Sequence, residues 1–364
     1  MSTQTIDSDR RRLMLSAAAL AGGTLLPRIA LAGSAAAAVP PAATATIAMK
    51  PARQRWYAEY QLRDYEIVDY QRFHVDGCVD VPFRGPPLNP FRAEPGSFFT
   101  ALGSAHTYGC FLDSPYPALL AQAIGMPSLN LGVGGAGPAF YTQYERLIEA
   151  INRSRFVILQ CMSARDVGNS RFQPDGYNGY IIDRKSGQSV PTVMAWRQMV
   201  TEEPENAVRY AQESRQAWVE QSAALIARIK VPIVLFYFSG RAADYRIDAD
   251  AVIAQARKIR SGEDHGAFVD GLMGGFPHLV DAPSLAAVKA KCQAYAECIS
   301  ARGMGHELIS RFTGKPVVLE HSDAMGSGFD KLLHMARNDY YASKEMHDDA
   351  RDALLPVVKQ LLAG

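Results

Sequence analysis

Short apolar runs alternate with longer segments of helical periodicity from about residue 97 to the C-terminus. Apolar runs of roughly four to eight residues that stop at a glycine or a polar residue are typical of strands buried on both faces. We predict strands over residues 97–103, 127–132, 155–161 and 231–238, with further candidates at 276–280 and 316–320.

Helical periodicity predicts helices over residues 115–125, 139–152, 203–230, 284–302 and 345–362. The proline-rich segment 81–95 predicts an irregular loop, and the polar, glycine- and tyrosine-rich segment 170–199 predicts a long excursion. Strands alternating with helices favour a parallel sheet that is covered by helices on both faces. In such sheets ligands bind outside the carboxyl ends of the strands.

The N-terminus carries three arginines at positions 10–12, then an Ala/Gly-rich, weakly hydrophobic run, then Ala-Leu-Ala at 30–32. This order resembles a twin-arginine export signal; the alternatives are an N-terminal membrane anchor or a disordered basic tail. We therefore expect an export signal over 1–38, a linker and lead-in over 39–96, and an α/β domain over 97–364. The protein is predicted to be periplasmic or secreted, with the twin-arginine export machinery as a partner.

Composition excludes several classes of protein. Charged residues make up 21% of the chain and hydrophobic residues 48%, a balance that rules out wholesale disorder. A net charge of +1 without a basic stripe argues against a nucleic-acid partner. No internal apolar run reaches the roughly 18 residues of a stable transmembrane span. The five cysteines match no zinc or redox spacing and are expected to be small buried hydrophobes.

Three glycine-rich or polar blocks follow the first three predicted strands. They are Gly-Ser-Ala-His-Thr-Tyr-Gly at 103–109, Asn-Leu-Gly-Val-Gly-Gly at 130–135, and Ser-Ala-Arg-Asp-Val-Gly-Asn at 163–169. Their order resembles the SGNH (GDSL-type) hydrolases, whose blocks are Gly-Asp-Ser, Asn-x-Gly-x-x-Gly, Gly-x-Asn-Asp and a late Asp-x-x-His. The resemblance implies a flavodoxin-like α/β three-layer sandwich with a parallel sheet, and usually esterase activity.

Residues 103–111, 117–138, 162–172 and 340–347 also resemble a less-characterised bacterial family, a diverged SGNH branch described as a domain of unknown function. The departures from the SGNH pattern concern the catalytic positions. Ser104 stands where that family has an aspartate, Ala105 where it has the nucleophilic serine, and Tyr341 where it has the histidine. Alanine has no group that could attack a carbonyl, so the resemblance supplies a fold and a motif layout but no established reaction.

The residue types present also allow a shifted catalytic site. Ser104 is the nearest hydroxyl, His106 and His347 are candidate bases, and Asp339 or Glu345 could orient His347. The alternative for Ser104 is a hydroxyl that caps the following helix. The alternative for each histidine is a surface or satisfied core residue.

Candidate ligand-binding residues follow from the second and third blocks. Backbone N–H groups at Asn130, Gly132 and Gly135 could form an oxyanion-binding nest, or the glycines could simply permit a tight turn. Arg165 and Asp166 could clamp an anion or a sugar hydroxyl, or form a local ion pair. The remaining candidates of this kind are Asn169 and Tyr341.

No cofactor and no metal are predicted. The glycine-rich block follows the second strand and lacks the acidic partner of a dinucleotide site. The histidines are scattered, and alternation along a strand would place Glu320 and His321 on opposite faces. Two hypotheses follow. The first is an exported esterase or deacylase that acts on an acylated envelope saccharide. The second is a catalytically degenerate SGNH fold that binds a saccharide or an anionic ligand without hydrolysing it.

Overall fold

The computed structural model describes residues 64–175, 179–246, 250, 253, 254, 271–317 and 337–364. The predicted export signal, residues 39–63 of the linker and lead-in, and the Glu320–His321 pair lie outside the described residues. In chain order the strands are β1 (Arg72–Val75), β2 (Cys78–Arg84), β3 (Phe99–Leu102), β4 (Ser128–Asn130), β5 (Val157–Gln160), β6 (Phe172–Pro174), β7 (Tyr180–Asp183), β8 (Ser189–Pro191), β9 (Ile233–Ser239), β10 (Ala294–Ile299), β11 (His306–Glu307) and β12 (Arg337–Asn338). The helices are α1 (Ala105–Tyr108), α2 (Tyr116–Ile124), α3 (Pro138–Thr142), α4 (Glu145–Ile151), α5 (Thr192–Glu202), α6 (Ala207–Arg228), α7 (Ala282–Lys289) and α8 (Lys344–Ala363).

The central sheet has five parallel strands in the order β10-β9-β5-β3-β4. If these five strands are numbered in chain order, with β3 first and β10 fifth, their order across the sheet from the β4 edge is 2-1-3-4-5. This is the flavodoxin-like arrangement. The prediction of an α/β flavodoxin-like sandwich is therefore confirmed. The chain changes direction across the sheet between β3 and β5, so the switch point lies where these two strands end.

Both faces of the sheet are buried, as the continuous apolar runs predict. Along β9, the side chains of Ile233, Leu235 and Tyr237 belong to one hydrophobic cluster. The alternate side chains, those of Val234, Phe236 and Phe238, belong to a second cluster. The first cluster is covered mainly by α3, α4, α6 and α7, and the second by α2 and α8. Alternation along a strand thus supplies two cores, one on each side of the sheet.

Three smaller sheets surround this sandwich. Strands β1 and β2 form an antiparallel hairpin whose Val81 and Phe83 are fully buried in the first cluster. Strands β6–β8 form an antiparallel sheet within the predicted excursion, and α5 follows it directly. Strands β11 and β12 pair as two short segments just before α8.

The predicted helix over 284–302 is wrong beyond Lys289. Residues from Ala294 to Ile299 form β10, which pairs in parallel with β9 at the edge of the sheet. The side chains of Ala296 and Cys298 are buried on one face, whereas Glu297 and Ile299 are exposed. This two-residue period had been hidden by alanines, which fit either period, and Cys298 consequently lies on a strand rather than a helix.

Four further local predictions need correction. Residues 276–280 form turns, with Leu279 in the left-handed region at φ 65°, rather than a strand. The helix predicted over 139–152 is divided in two, because Tyr144 is extended between α3 and α4. Strand β2 continues through Arg84, so the irregular loop begins later than predicted. Of residues 316–320, Pro316 forms a single bridge with Ile309, and residues 318–320 lie outside the description.

All five cysteines lie in the described part of the chain, and each is a free thiol there. Burial raises the pKa of Cys161, which disfavours the reactive thiolate form. No helix within the described ranges is long and apolar enough to cross a membrane.

An ion network around the buried Arg171 joins the excursion to α5 and α6. The Arg171 guanidinium is 3% exposed and lies 2.9 Å from an Asp183 oxygen and 3.0 Å from a Glu202 oxygen. Next to it, Glu203 accepts hydrogen bonds from Lys185 and, at 2.8 Å, from the Tyr210 hydroxyl. The Lys185 hydrogen bond, followed by that of Tyr210, lowers the pKa of Glu203 to about 2.

This network predicts an acid-dependent loss of stability. The pKa of Glu203 is lower in the folded protein, so its contribution is present above the ordinary carboxylate pKa and is lost as pH falls towards 2. We expect Glu203→Gln to lower the free energy of unfolding by about 1 kcal/mol at neutral pH and to flatten its decline below about pH 4.5. Urea unfolding at several pH values measures both effects. Exposed Glu205, two residues away, supplies the control Glu205→Gln, and an unchanged acid slope in Glu203→Gln would contradict the assignment.

Candidate functional site

The turn between β3 and α1 carries Ser104 at the carboxyl edge of the sheet. Its carbonyl accepts hydrogen bonds from the N–H groups of Thr107 and Tyr108 and so begins the helix. The Ser104 side chain is 4% exposed and makes no capping hydrogen bond. Its Oγ has no hydrogen-bond partner in the described part of the structure. The helix-cap alternative therefore does not account for this hydroxyl.

His106 lies two residues further on, among aromatic rings. Its imidazole stacks on Phe276 with 3.9 Å between ring centroids, and it meets Phe238 and Tyr340 edge-on at 5.9 and 6.3 Å. The ring is buried, and Nδ1 has no hydrogen-bond partner among the described residues. Burial lowers the pKa of His106 to about 3, so the ring is neutral at physiological pH.

His347 reaches the same edge from the first turn of α8. Its Nδ1 accepts a hydrogen bond of 2.8 Å from the backbone N–H of Tyr116. The proton of the neutral ring therefore lies on Nε2. Burial lowers the pKa of His347 well below its ordinary value, and the nearby His106 and Arg84 lower it further.

Asp339 does not contact the His347 Nδ1 atom, which receives the Tyr116 N–H instead. Its side chain is 64% exposed and lies 3.7 Å from the Arg337 guanidinium. Tyr341, two residues on, is buried against Phe111, and its N–H donates to the Asn338 side chain at 2.8 Å. The predicted catalytic roles of Ser104, His106, His347 and Asp339 stay predictions, with no serine–imidazole hydrogen bond among these four in the structure as described.

Sequence reasoning missed His278, which lies beside His106. Its Nδ1 is 3.0 Å from the Ser163 Oγ, and its Nε2 is 3.4 Å from an Arg165 nitrogen. A guanidinium only donates, so Nε2 accepts and Nδ1–H donates to Ser163. Burial, then Arg165, Arg241 and His106, lower the pKa of His278. No local sequence signal marks the contact between Ser163 and His278, because these residues are 115 positions apart in the chain.

Together these side chains form one group, which we call the imidazole cluster: His106, His278 and His347 with the rings of Phe238, Phe276 and Tyr340. The rings follow one another at 5.3 to 6.3 Å, from His347 through Phe238, His106 and Tyr340 to His278. Tyr340 is only partly buried. Over the described ranges, no group of three or more His, Cys, Asp or Glu side chains could hold a metal ion.

The second sequence block, residues 130–135, makes hydrogen bonds and close contacts within the protein. The Asn130 side chain donates to the Thr107 carbonyl and accepts the Gly132 N–H, both at 2.9 Å. A Cβ atom on Gly132 would lie 2.4 Å from the Tyr108 backbone nitrogen. Gly135 has a φ of 74° in the following turn. These contacts support the tight-turn alternative for the block, because its glycines permit close approach and a left-handed backbone.

The third block is also engaged locally. Arg165 lies 3.6 Å from an Asp166 oxygen, as in the ion-pair alternative. Burial raises the pKa of Asp166, against the opposing effect of Arg165. Asn169 accepts the N–H groups of Arg171 and Phe172 and donates to Ser214 on α6 at 3.0 Å. Asn169 therefore connects β6 to α6.

The strand order and the imidazole cluster define a flavodoxin-like α/β protein with a buried, uncharged polar group at its switch point. A family model described as a domain of unknown function, DUF6473, matches residues 59–174, about a third of the chain. The predicted resemblance to such a domain is confirmed for this part. No curated protein matches the chain.

Several solved structures are remotely similar to this chain. One is a catalytic mutant of an acetylxylan esterase from Geobacillus stearothermophilus, with 14% identity, a TM-score of 0.33, and coverage of 73% of this chain and 96% of that one. Another is an alpha/beta hydrolase enzyme from the metagenome of Lake Arreo in Spain. It has 12% identity and a TM-score of 0.32, and the match covers 74% of this chain and 98% of that one. A gut microbial diltiazem-metabolizing enzyme has 11% identity and a TM-score of 0.29 over 56% of this chain. This chain spans 37% of that enzyme's length.

The contact between Gly132 and α1 predicts a steric effect. We expect Gly132→Ala to lower the free energy of unfolding by about 1–3 kcal/mol, because the added methyl meets the Tyr108 backbone rather than a movable side chain. Gly137→Ala is the matched control, since its Cβ would meet only a Val167 methyl, at 3.7 Å. Urea unfolding of both variants provides the comparison. Equal stability of Gly132→Ala and the parent would show that the two segments do not approach so closely.

Proposed function

We propose that the protein binds a small, uncharged polar ligand at the imidazole cluster and does not hydrolyse it by a serine–histidine mechanism. The observation that carries this proposal is a pair of polar atoms, Ser104 Oγ and His106 Nδ1. Both are buried on one turn, and both lack a hydrogen-bond partner among the described residues. Buried polar atoms are nearly always hydrogen-bonded, and a ligand at the site would supply the partner.

The protonation states argue against a serine nucleophile. A general base needs a pKa near the working pH and must reach the hydroxyl it deprotonates. Burial lowers the pKa of His106 to about 3, which makes it a poor proton acceptor at neutral pH. The free nitrogen of neutral His347 already carries a proton, because Nδ1 accepts the Tyr116 N–H. Burial lowers the pKa of His278, and Arg165 and Arg241 lower it further.

The same features favour a neutral ligand. A hydroxyl and neutral imidazoles bind the hydroxyl and carbonyl groups of sugars and esters without the cost of burying a charge. The partly exposed Tyr340 ring offers an apolar face beside them. The nearby cation Arg165 is engaged with Asp166 and His278, which leaves less support for an anionic ligand. We therefore favour an acylated saccharide as the ligand class.

A second candidate function is an esterase or deacylase that uses Ser104, with His106, His347 and Asp339 in support. One observation favours it: the Ser104 hydroxyl directly follows the first strand of the sheet and makes no hydrogen bond in the described structure that would occupy it. This mechanism would require the site to rearrange so that an imidazole nitrogen reaches Ser104 Oγ.

We also propose that the protein is exported by the twin-arginine pathway and works in the periplasm or outside the cell. The arginines at 10–12 and the apolar run after them support this proposal. Replacing Arg10, Arg11 and Arg12 with lysine is expected to retain the protein inside the cytoplasm, as cell fractionation would measure. Export of the triple variant at the parental level would contradict the proposal.

Labelling with a fluorophosphonate probe separates the two functions. We expect no adduct on Ser104 in the folded protein, because no hydrogen-bonded base activates its hydroxyl. Peptide mass spectrometry detects the adduct, and an active serine esterase treated in parallel controls for the probe. An adduct on Ser104, together with ester turnover that disappears in Ser104→Ala, would instead establish the esterase.

Binding provides the positive test. On an array of acetylated and unacetylated glycans we expect retention of the parent protein, and roughly five- to thirtyfold weaker binding by Ser104→Ala, which loses one hydrogen bond in a buried site. Ser186→Ala, on an exposed turn, is the control and should bind like the parent. The binding proposal fails if no glycan is retained, or if Ser104→Ala binds as tightly as Ser186→Ala.

A further inference from the structure

We propose that two copies of this chain form a symmetric dimer through β10, so that the five-stranded sheet of one copy continues into the sheet of the other. This proposal is independent of the ligand proposed above. It rests on the open edge of the sheet, on the charges beside that edge and on a groove next to it.

The outer edge of β10 presents backbone groups to solvent. Within the described residues, β10 pairs with β9 alone and ends the sheet. The register of this pairing, and the hydrogen bond from the Ser300 N–H to the Ser239 carbonyl, direct the backbone groups of the even-numbered residues of β10 towards β9. Those of Tyr295, Glu297 and Ile299 therefore point away from the sheet. A row of such groups is a template for a further strand.

The side chains of β10 leave this edge accessible. The strand reads Ala-Tyr-Ala-Glu-Cys-Ile and contains neither proline nor lysine, which commonly protect edge strands that stay unpaired. The side chain of Glu297 is exposed, and Ile299 is 47% exposed. An exposed isoleucine on an unprotected edge favours a partner strand, and the single carboxylate restricts which partner fits.

Three side chains beside the edge carry complementary groups on one face of the sheet. The Tyr295 hydroxyl donates to the Glu297 carboxylate at 2.5 Å. The Lys289 Nζ, at the end of α7, lies 4.0 Å from the centroid of the Tyr295 ring. One copy therefore offers an anion and a cation on either side of the same tyrosine. A surface with both signs can pair with itself about a two-fold axis.

These charges favour one register of antiparallel pairing with a second copy. An axis through Glu297 would place the two carboxylates directly opposite each other, which is destabilising. An axis through Cys298 would place each carboxylate opposite an isoleucine. An axis through Ala296 instead places Glu297 of each copy opposite Tyr295 of the other, on the side that carries Lys289. In this register the outward backbone groups of the facing residues exchange hydrogen bonds in both directions.

The same register uses the exposed isoleucine. With the axis through Ala296, Ile299 of each copy lies opposite Gln293 of the other. An open groove of about 460 Å³ begins at Gln293 and is lined on its other side by Val357 and Leu361 of α8. Pairing therefore brings the exposed apolar side chain of one copy to the groove of the other, at two equivalent places.

Sedimentation equilibrium of the purified protein tests the assembly. We expect a monomer–dimer equilibrium with a dissociation constant on the order of 1–100 μM, as for a small contact between folded subunits. A protein that remains monomeric at about 500 μM overturns the proposal.

Amide hydrogen exchange shows whether β10 is the contact. As the protein concentration rises through the dimerisation range, we expect slower exchange at Tyr295 and Glu297, whose N–H groups point outwards. The N–H groups of Ala296 and Cys298, which point towards β9, should be protected at every concentration. A dimer without added protection at Tyr295 and Glu297 would form through another surface, and would overturn the proposal.

Charge reversal tests the register. Glu297→Lys places a cation opposite Tyr295 and Lys289 of the other copy, and we expect the dissociation constant to rise roughly tenfold. Glu205→Lys makes the same charge change at an exposed position away from β10 and is the control. The double variant with Lys289→Glu and Glu297→Lys exchanges the two charges and should restore the parental dissociation constant. Dimerisation of Glu297→Lys like the control, or no restoration in the double variant, contradicts this register.

Discussion

The arrangement of the site depends on two positions that have no side chain. A Cβ atom on Gly103 would lie 2.1 Å from the Thr107 Oγ1 and 2.3 Å from the Gln160 Oε1, and one on Gly132 would overlap the backbone of α1. These glycines let the ends of β3 and β4 contact the short helix directly. The Tyr141 hydroxyl then contacts the backbone oxygens of both Gly103 and Leu131. The Ser104 turn is consequently held by the side chains of Gln160 and Tyr141 and by the close approach of Gly132.

Arginines fix the loops around this turn through backbone carbonyls. Arg84 is fully buried and donates to the carbonyls of Gly109, Leu112 and Asp113, just after α1. Arg241 donates to those of Gly275, Pro277 and Val280, and so holds the loop that carries Phe276 and His278. In both places a guanidinium satisfies several carbonyls that no sheet or helix would pair. Their positive charge also helps to keep the nearby imidazoles neutral.

The sheet could be predicted from sequence, whereas the details of the site could not. Strands such as β5 and β9 are continuous apolar runs because both faces are covered, and that pattern is local. The edge strand β10 was mistaken for helix, since its alanines fit either period. Asn130 and Ser104 were correctly placed at strand ends, but whether their polar atoms are engaged depends on Thr107, Gln160 and other residues distant in sequence. His278 contacts Ser163 only in the folded chain, so no local sequence motif could predict this contact.

The position of α8 has a consequence for how the protein is made. Its buried side chains, among them Met346, Ala350, Leu354 and Val358, cover the face of the sheet that holds Phe236 and Phe238. This helix comprises 20 residues and follows every strand of the sheet in chain order. During synthesis the sheet strands therefore emerge from the ribosome before their cover. One hydrophobic face of the sheet stays open to chaperones until α8 has also emerged.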